Sequence, residues 1–425
     1  MASRRSLLTK QSEQNYAVGS NFELSELDFD YREYGTRFRL FPQSPILDAY
    51  QQPETVWVSV TPSEMMPGPA DNKMVVVDAK YKTPYGDNFK PPYDGAKYAI
   101  ASADAEGHFD HLEAGTPQFE AAHMYGTIRW ILDKWQVYFG REIEWEFSSV
   151  FKRLELIPWL DWDNAHAGFG FIEMGYSLDN EGQKFPFNLN FDVLAHEFGH
   201  TMLNSVIGVP NEDEASTEFF SFHETAGDII AIISLLHFDS VLDRLLDDSN
   251  GNLYTRNELN RVGEESNNRQ IRLASHAKKM SDAPSLDIPL DELSYKQIHQ
   301  ISLPFTGALF DLLVEIFQHN LVDAGLISTE LDQQSRSLTE NMHNEGVIQA
   351  SFDQAYHANQ EGFKKALIDA RDYMGVLLSL SWEQLSWDLN FPEIVVALIQ
   401  ADNDLSSGHY RNEITQVFKW REIWF

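Results

Sequence analysis

His196-Glu197-Phe198-Gly199-His200, followed by Glu224-Thr225-Ala226-Gly227-Asp228, is the pair of segments that decides how this chain reads. Residues four apart on a helix share one face. His196 and His200 can therefore aim both imidazoles at one metal ion. Glu197, beside them, is placed to work on a metal-activated water. Glu224 supplies a third ligand from a second helix. Asp228 lies one turn further on the same face and can hold a histidine ring by its other N–H. Two histidines, one carboxylate and an open fourth position are the ligand set of catalytic zinc rather than structural zinc.

A bare His-Glu-x-x-His is a short pattern that also arises by coincidence. Its surroundings argue against coincidence here. Phe191-Asp192-Val193-Leu194-Ala195 is mostly apolar, as the start of a buried helix requires, and Phe198 and Gly199 are uncharged. Glycine costs a helix about 1 kcal/mol against alanine, so Gly199 points to a constraint other than helix stability. The carboxylate pair at i and i+4 then follows at a workable distance.

The bulk numbers bound the alternatives. The chain has 425 residues, 43% hydrophobic and 13% aromatic, enough for two or three domains or two lobes sharing a cleft. Its net charge of −33, from 32 basic and 65 acidic residues, opposes nucleic acid and anionic membrane as partners, because both demand positive surface. A peptide or protein is the expected partner; composition leaves the oligomeric state open. The absence of cysteine excludes disulfides, thiol catalysis and cysteine-ligated zinc. Met1-Ala2-Ser3-Arg4-Arg5-Ser6-Leu7-Leu8 begins like a signal peptide but turns polar at Thr9-Lys10-Gln11. A cytoplasmic location is thus the default expectation, with export by another route left open. The longest apolar run, Ile229 to Leu236, is too short to span a bilayer, and no membrane insertion is expected.

Along the chain, residues 1–25 form a polar segment, 26–190 a mixed β/α lobe, and 191–425 a mainly helical lobe. Thr55-Val56-Trp57-Val58-Ser59-Val60 and Met74-Val75-Val76-Val77-Asp78-Ala79 are β-branched runs between Pro/Gly-rich turns and predict strands. Thr116-Pro117 opens a helix that Gly140 ends. Glu142 to Ile157 reads as strand. Ala167 to Tyr176 reads as an edge strand, glycine-rich where another backbone can approach. Residues 211–218 read as an acidic loop, His223 to Phe238 as the second metal helix, and 304–322 and 350–425 as helical. Asp247 to Asn252 has calcium-type residues, but its spacing fails the EF-hand loop and favours a plain turn.

With these residues in view, the chain resembles thermolysin-type zinc metallopeptidases of the gluzincin group. The likeness runs over residues 95–320 and 390–425. Ala122-His123 with Phe139-Gly140-Arg141 is similar to the family's long first helix, and Asn164-Ala165 to the start of its active-site edge strand. Asp192-Val193 precedes the first histidine as in the family, and Ala401-Asp402 through Arg411, Phe418 and Arg421 resembles its last helices. The resemblance implies an α+β fold of two lobes, β-rich then helical, with zinc in the cleft. It implies His196, His200 and Glu224 as zinc ligands and Glu197 as general base. Arg272 and His299, with Ser302 following, lie at about the spacing of a substrate-binding arginine and a transition-state histidine. Asn164 and Ala165 would align an extended substrate. Among the family's Ca2+ ligands only Asp192 is matched.

The chain also departs from the pattern. Ser294 stands where the family places the aspartate that partners its histidine, and no tyrosine between the two zinc segments matches its second oxyanion donor. Residues 325–385 read as an insertion before the final helices. Two alternatives stay open. One is a gluzincin aminopeptidase, although its Gly-x-Met-Glu-Asn segment is missing. The other is a catalytically impaired zinc-binding interaction protein, against which the intact Glu197 speaks.

Overall fold

The computed structural model describes residues 24, 27–86, 90–98, 100–178, 182–211, 214–255, 257, 259, 261–266, 269–339 and 345–423, with the side chains of 262–272 left aside. Nearly all of the polar segment 1–25 lies outside them. The architecture is mixed α+β, with ten α-helices and four small sheets among the described residues.

The first strands form where β-branched runs meet turns. β1 (Thr36–Leu40) pairs antiparallel with β2 (Glu54–Val58). A four-stranded sheet holds β3 (Met74–Val76), β4 (Leu154–Ile157), β5 (Ala165–Gly168) and β6 (Phe171–Met174) in the order β3-β4-β6-β5. The first two pairings are parallel and β5 is antiparallel to β6, so β5 is an edge. The alternation of side chains across a strand turns Leu154, Leu156, Ile172 and Met174 into the main core. β7 (Tyr176–Leu178) and β8 (Lys184–Pro186) form a hairpin beside the sheet.

Two strand expectations need correction. Glu142 to Ile157 is a strand only in its last four residues; Glu146–Ser149 forms a 3-10 helix instead. The edge strand expected over Ala167 to Tyr176 begins at Ala165, and the glycine within the expected span breaks it. Gly170, at φ 87°, turns the chain back, so the following residues form the inner strand β6.

Helix α1 (Pro117–Tyr138) starts as its sequence signals: the Thr116 side chain accepts a hydrogen bond from the Phe119 N–H at 3.2 Å, and Pro117 occupies the first turn. Gly140 leaves the helix at φ 63°, a conformation that costs glycine little. The helix is buried on nearly every side, and its buried charged residues carry partners: Lys134 donates to the Phe29 carbonyl at 2.9 Å and Asp133 accepts from the Ser59 N–H at 2.6 Å. Arg129 reaches Asp71 at 3.0 Å and Asp133 at 2.8 Å, as a buried guanidinium must.

The helical part comprises α2 (Phe191–Ile207), α3 (Thr217–Leu235), α4 (Asp239–Ser249), α5 (Tyr295–Asp323), α6 (Thr329–Arg336), α7 (Glu345–Ala358), α8 (Gln360–Trp382), α9 (Phe391–Ser406) and α10 (Arg411–Trp420). A hairpin of β9 (Arg261–Ser266) and β10 (Arg269–Leu273) interrupts it, a strand pair that the helical reading after Asp192 passes over. Helix α3 begins at Thr217, capped by Ser216, inside the stretch read as loop to 218. Helix α5 starts at Tyr295, well before 304, and carries Pro304 in its interior. By composition α5 is long and apolar enough to cross a membrane, but 89% of that stretch is buried inside the fold, as in a core helix. Of the turn expected over Asp247 to Asn252, the first three residues end α4 instead, and the chain turns at Asn250 and Gly251, with φ of 48° and 79°. Its side chains bind α7, Asn250 reaching Asp353 at 2.9 Å and Asn252 reaching Gln349 at 3.0 Å.

One apolar core runs from Phe38 to Ile423 and joins both halves of the chain. Trp135 of α1 stacks on Trp382 of α8, ring centres 5.3 Å apart and planes within 6°, while its N–H donates to Ser234 of α3 at 3.0 Å. The far end of the segment read as an insertion thus reaches the centre of the fold.

Candidate metal centre

Helix α2 opens with Asn190, whose side chain accepts from the Val193 N–H at 3.3 Å. One turn later it presents His196, Glu197 and His200. Helix α3 runs beside it and presents Glu224 and Asp228. The two helices approach closely because glycines face each other. A Cβ on Gly199 would lie 2.8 Å from the Gly227 Cα, and one on Gly227 would lie 2.5 Å from His196 Nδ1. Real Cβ atoms do not pack at such distances, so both positions demand glycine. The constraint behind Gly199 is therefore the neighbouring helix, and Gly227 makes room for the ligand ring.

The donor atoms of His196, His200 and Glu224 lie within 4.8 Å of one another. His196 Nε2 is 3.4 Å from Glu224 Oε2, and His200 Nε2 is 3.8 Å from Glu224 Oε1. Ligands at about 2.1 Å from a tetrahedral metal sit about 3.4 Å apart, so the three groups fit a zinc-sized ion. Asp228 lies 2.9 Å from His196 Nδ1. An ionised carboxylate there accepts the Nδ1 proton, which leaves Nε2 facing the cluster as a ligand lone pair. Burial on its own raises a carboxyl, but when the histidines are protonated rather than acting as ligands, hydrogen bonds from His196 and His299 and the charges of His196 and His200 outweigh it. Together they hold Glu224 well below the usual carboxylate range.

His299 sits in the first turns of α5, with Nδ1 2.8 Å from Glu224 Oε2 and its side chain 37% exposed. The carboxylate that faces it is thus Glu224. Ser294, where the resemblance looks for that partner, instead caps α5: its Oγ donates to Gln297 Oε1 at 2.8 Å, and the same oxygen accepts the Ser294 N–H at 3.1 Å. Helix α5 is tied to α3 near this point. The Thr225 hydroxyl donates to the Ser302 carbonyl at 3.2 Å, and the Thr306 hydroxyl donates to Thr225 at 3.2 Å.

The remaining sequence candidates fall in several places. Glu197 is half-buried on α2, and Asn164 is exposed just before the edge strand that Ala165 begins. The Asn164 carbonyl accepts from the Gly175 N–H at 2.9 Å. Strand β5 packs on α2 and is an edge of its sheet among the described residues. Arg272 falls in β10 opposite Val262, and its side chain lies outside the described ones. Asp192 is buried and accepts from Gln43 Nε2 at 3.1 Å; it belongs to neither metal-capable cluster among the described residues.

His223 has no role in the sequence reading. It is buried under His200, ring centres 5.7 Å apart, and packs on Phe219 at 4.4 Å. Burial, aided by His200, pushes it down to about 3, so it stays neutral and forms a floor for the ligand ring. Its only sequence signal is its place beside Glu224.

No protein-family model matches this chain, and no curated protein matches it. Among solved structures it is similar to the precursor of protealysin, a metalloproteinase from Serratia proteamaculans. The likeness has 14% identity and a TM-score of 0.32, over 61% of this chain and 85% of that one.

Proposed function

We propose that this chain is a zinc-dependent peptidase of the thermolysin-like gluzincin kind, two-lobed with the metal in the cleft, acting as an endopeptidase. The observation that carries the reading is the convergence of His196, His200 and Glu224 at tetrahedral separations. The sequence adds Glu197 between the two histidines. A bound zinc ion polarises a carbonyl and lowers the pKa of water to about 7. Glu197 takes the proton from the attacking water and delivers it to the leaving amine. Asp228 fixes the His196 ring through Nδ1. His299, whose Nδ1 lies 2.8 Å from Glu224 Oε2, is assigned to the substrate carbonyl, where an N–H donor stabilises developing negative charge. The edge strand β5, with Asn164 and Ala165 at its start, takes an extended peptide by strand addition. Arg272 is assigned to a substrate carbonyl by its position in the sequence.

The test pairs metal analysis with digestion of a mixed peptide library. Bound zinc and internal cleavages are expected, and release of N-terminal residues alone would mark an aminopeptidase. Glu197→Gln should keep zinc and lose turnover by several orders of magnitude, because the base is gone while the ligands stay. Near-native turnover of that variant would overturn the mechanism.

A further inference from the structure

A second His/Asp cluster stands apart from the site above. His319 and Asp323 lie one turn apart at the end of α5, and His409 lies in the turn between α9 and α10. Their donor atoms all fall within 4.8 Å of one another. His319 Nε2 and His409 Nε2 both approach the same oxygen, Asp323 Oδ2, at 3.5 and 3.6 Å. These distances are long for hydrogen bonds. They are close to the edges of a tetrahedron of ligands, about 3.4 Å, and longer than the roughly 3.0 Å between neighbouring octahedral ligands.

The surroundings orient the ligands. Glu413, largely buried, lies 3.0 Å from His319 Nδ1. Its carboxylate turns the other ring nitrogen toward Asp323, as ligand histidines are usually held. The first site has the same construction, with Asp228 at 2.9 Å on Nδ1 and a carboxylate oxygen 3.4 Å from Nε2. The turn bearing His409 is fixed without any metal. Asp402 accepts the N–H groups of Gly408 (carbonyl, 3.2 Å) and Tyr410 (Oδ1, 3.2 Å), and Tyr410 donates to Asn320 of α5 at 2.7 Å. The His319 and His409 rings meet edge to face at 4.7 Å. The ligand side chains are 24%, 58% and 46% exposed for His319, Asp323 and His409, so an ion can reach them and water can complete the shell.

We propose that His319, Asp323 and His409 form a second site for a divalent transition metal of tetrahedral preference, with zinc the natural occupant. It has three protein ligands, a solvent-facing fourth position, and the role of a clip between the end of α5 and the α9–α10 turn. Imidazole and carboxylate donors suit zinc or its tetrahedral substitute cobalt, whereas magnesium and calcium prefer all-oxygen shells.

The experiment uses the full chain, stripped with chelator and titrated with Co2+ and Zn2+, the Co2+ visible bands reporting tetrahedral binding. The wild type should take up two equivalents, and His409→Asn and Asp323→Asn one. Both replacements are at exposed positions. Glu413→Gln should weaken the second equivalent by about 10- to 100-fold. Chelator should lower the thermal midpoint of His200→Gln, whose remaining metal is at this cluster. If wild type and His409→Asn bind the same number of equivalents with superimposable Co2+ spectra, the cluster is a set of ion pairs and the proposal fails. A single wild-type equivalent lost in His409→Asn would uphold this site and remove the first. A single equivalent lost only in His200→Gln would do the reverse.

Discussion

Gly227→Ala sets two effects of opposite sign against each other. In an open helix the change raises stability by about 1 kcal/mol, because alanine is the better helix former. At position 227 the new Cβ would lie 2.5 Å from His196 Nδ1, 2.8 Å from its Cε1 and 3.0 Å from its Cγ. The ring has little room to retreat. It is buried, held by Asp228 at 2.9 Å, and backed by the Gly199 contact between the two helices. Either the ring leaves its place or α2 and α3 separate. Overpacking of this kind costs about 1–3 kcal/mol, so the net effect is a loss of up to about 2 kcal/mol. The metal effect should be larger in proportion, since a misaimed ligand loses about 10- to 100-fold in affinity. Zinc affinity is read by competition with a chromophoric chelator, and stability by urea unfolding with excess chelator present. Gly346→Ala is the control. It lies in α7 with no atom within 4 Å of the added Cβ, and should be neutral or stabilising by up to about 1 kcal/mol. Native zinc affinity in Gly227→Ala would refute the claim that this glycine exists to seat the ligand ring.

Three further outcomes follow from the same geometry. Asp228→Asn should weaken zinc about 10- to 100-fold while the fold persists, and unchanged chelator competition would separate Asp228 from the metal. His299→Ala should lower kcat by about 100-fold with KM and zinc content little changed; an equal loss in KM would assign the ring to ground-state binding. His123 is buried with Nδ1 2.8 Å from the Asn188 carbonyl and Nε2 accepting from the Phe41 N–H at 2.9 Å, and burial pushes it down to about 4. Between its unfolded value near 6.5 and that folded value, the unfolded chain binds the extra proton. Stability therefore falls as pH drops through this window, by about 2 kcal/mol at pH 5 from this residue. Urea unfolding of wild type and His123→Gln at pH 7 and pH 5 checks it, and an equal loss in both would show that His123 is not the group responsible.

What the sequence determined is what local geometry determines. Residues four apart on a helix share a face, so the metal-facing residues of α2 and α3 could be named from spacing, as could the start of α1 from Thr116 and Pro117 and its end at Gly140. Alternation and turn residues likewise announced β2 and β3. The strand reading failed at Glu142 to Ile157 and at Gly170, because which apolar runs pair, and where a glycine turns the chain back, depends on neighbours distant in sequence. The β9–β10 hairpin was missed for the same reason. Tertiary structure alone decided that Glu224, rather than a residue at 294, faces His299, and that Gly199 and Gly227 serve one helix contact. It also stacked Trp382 on Trp135 and brought His409 to His319 and Asp323. Those contacts join segments whose separation along the chain carries no periodic signal, and only packing fixes them.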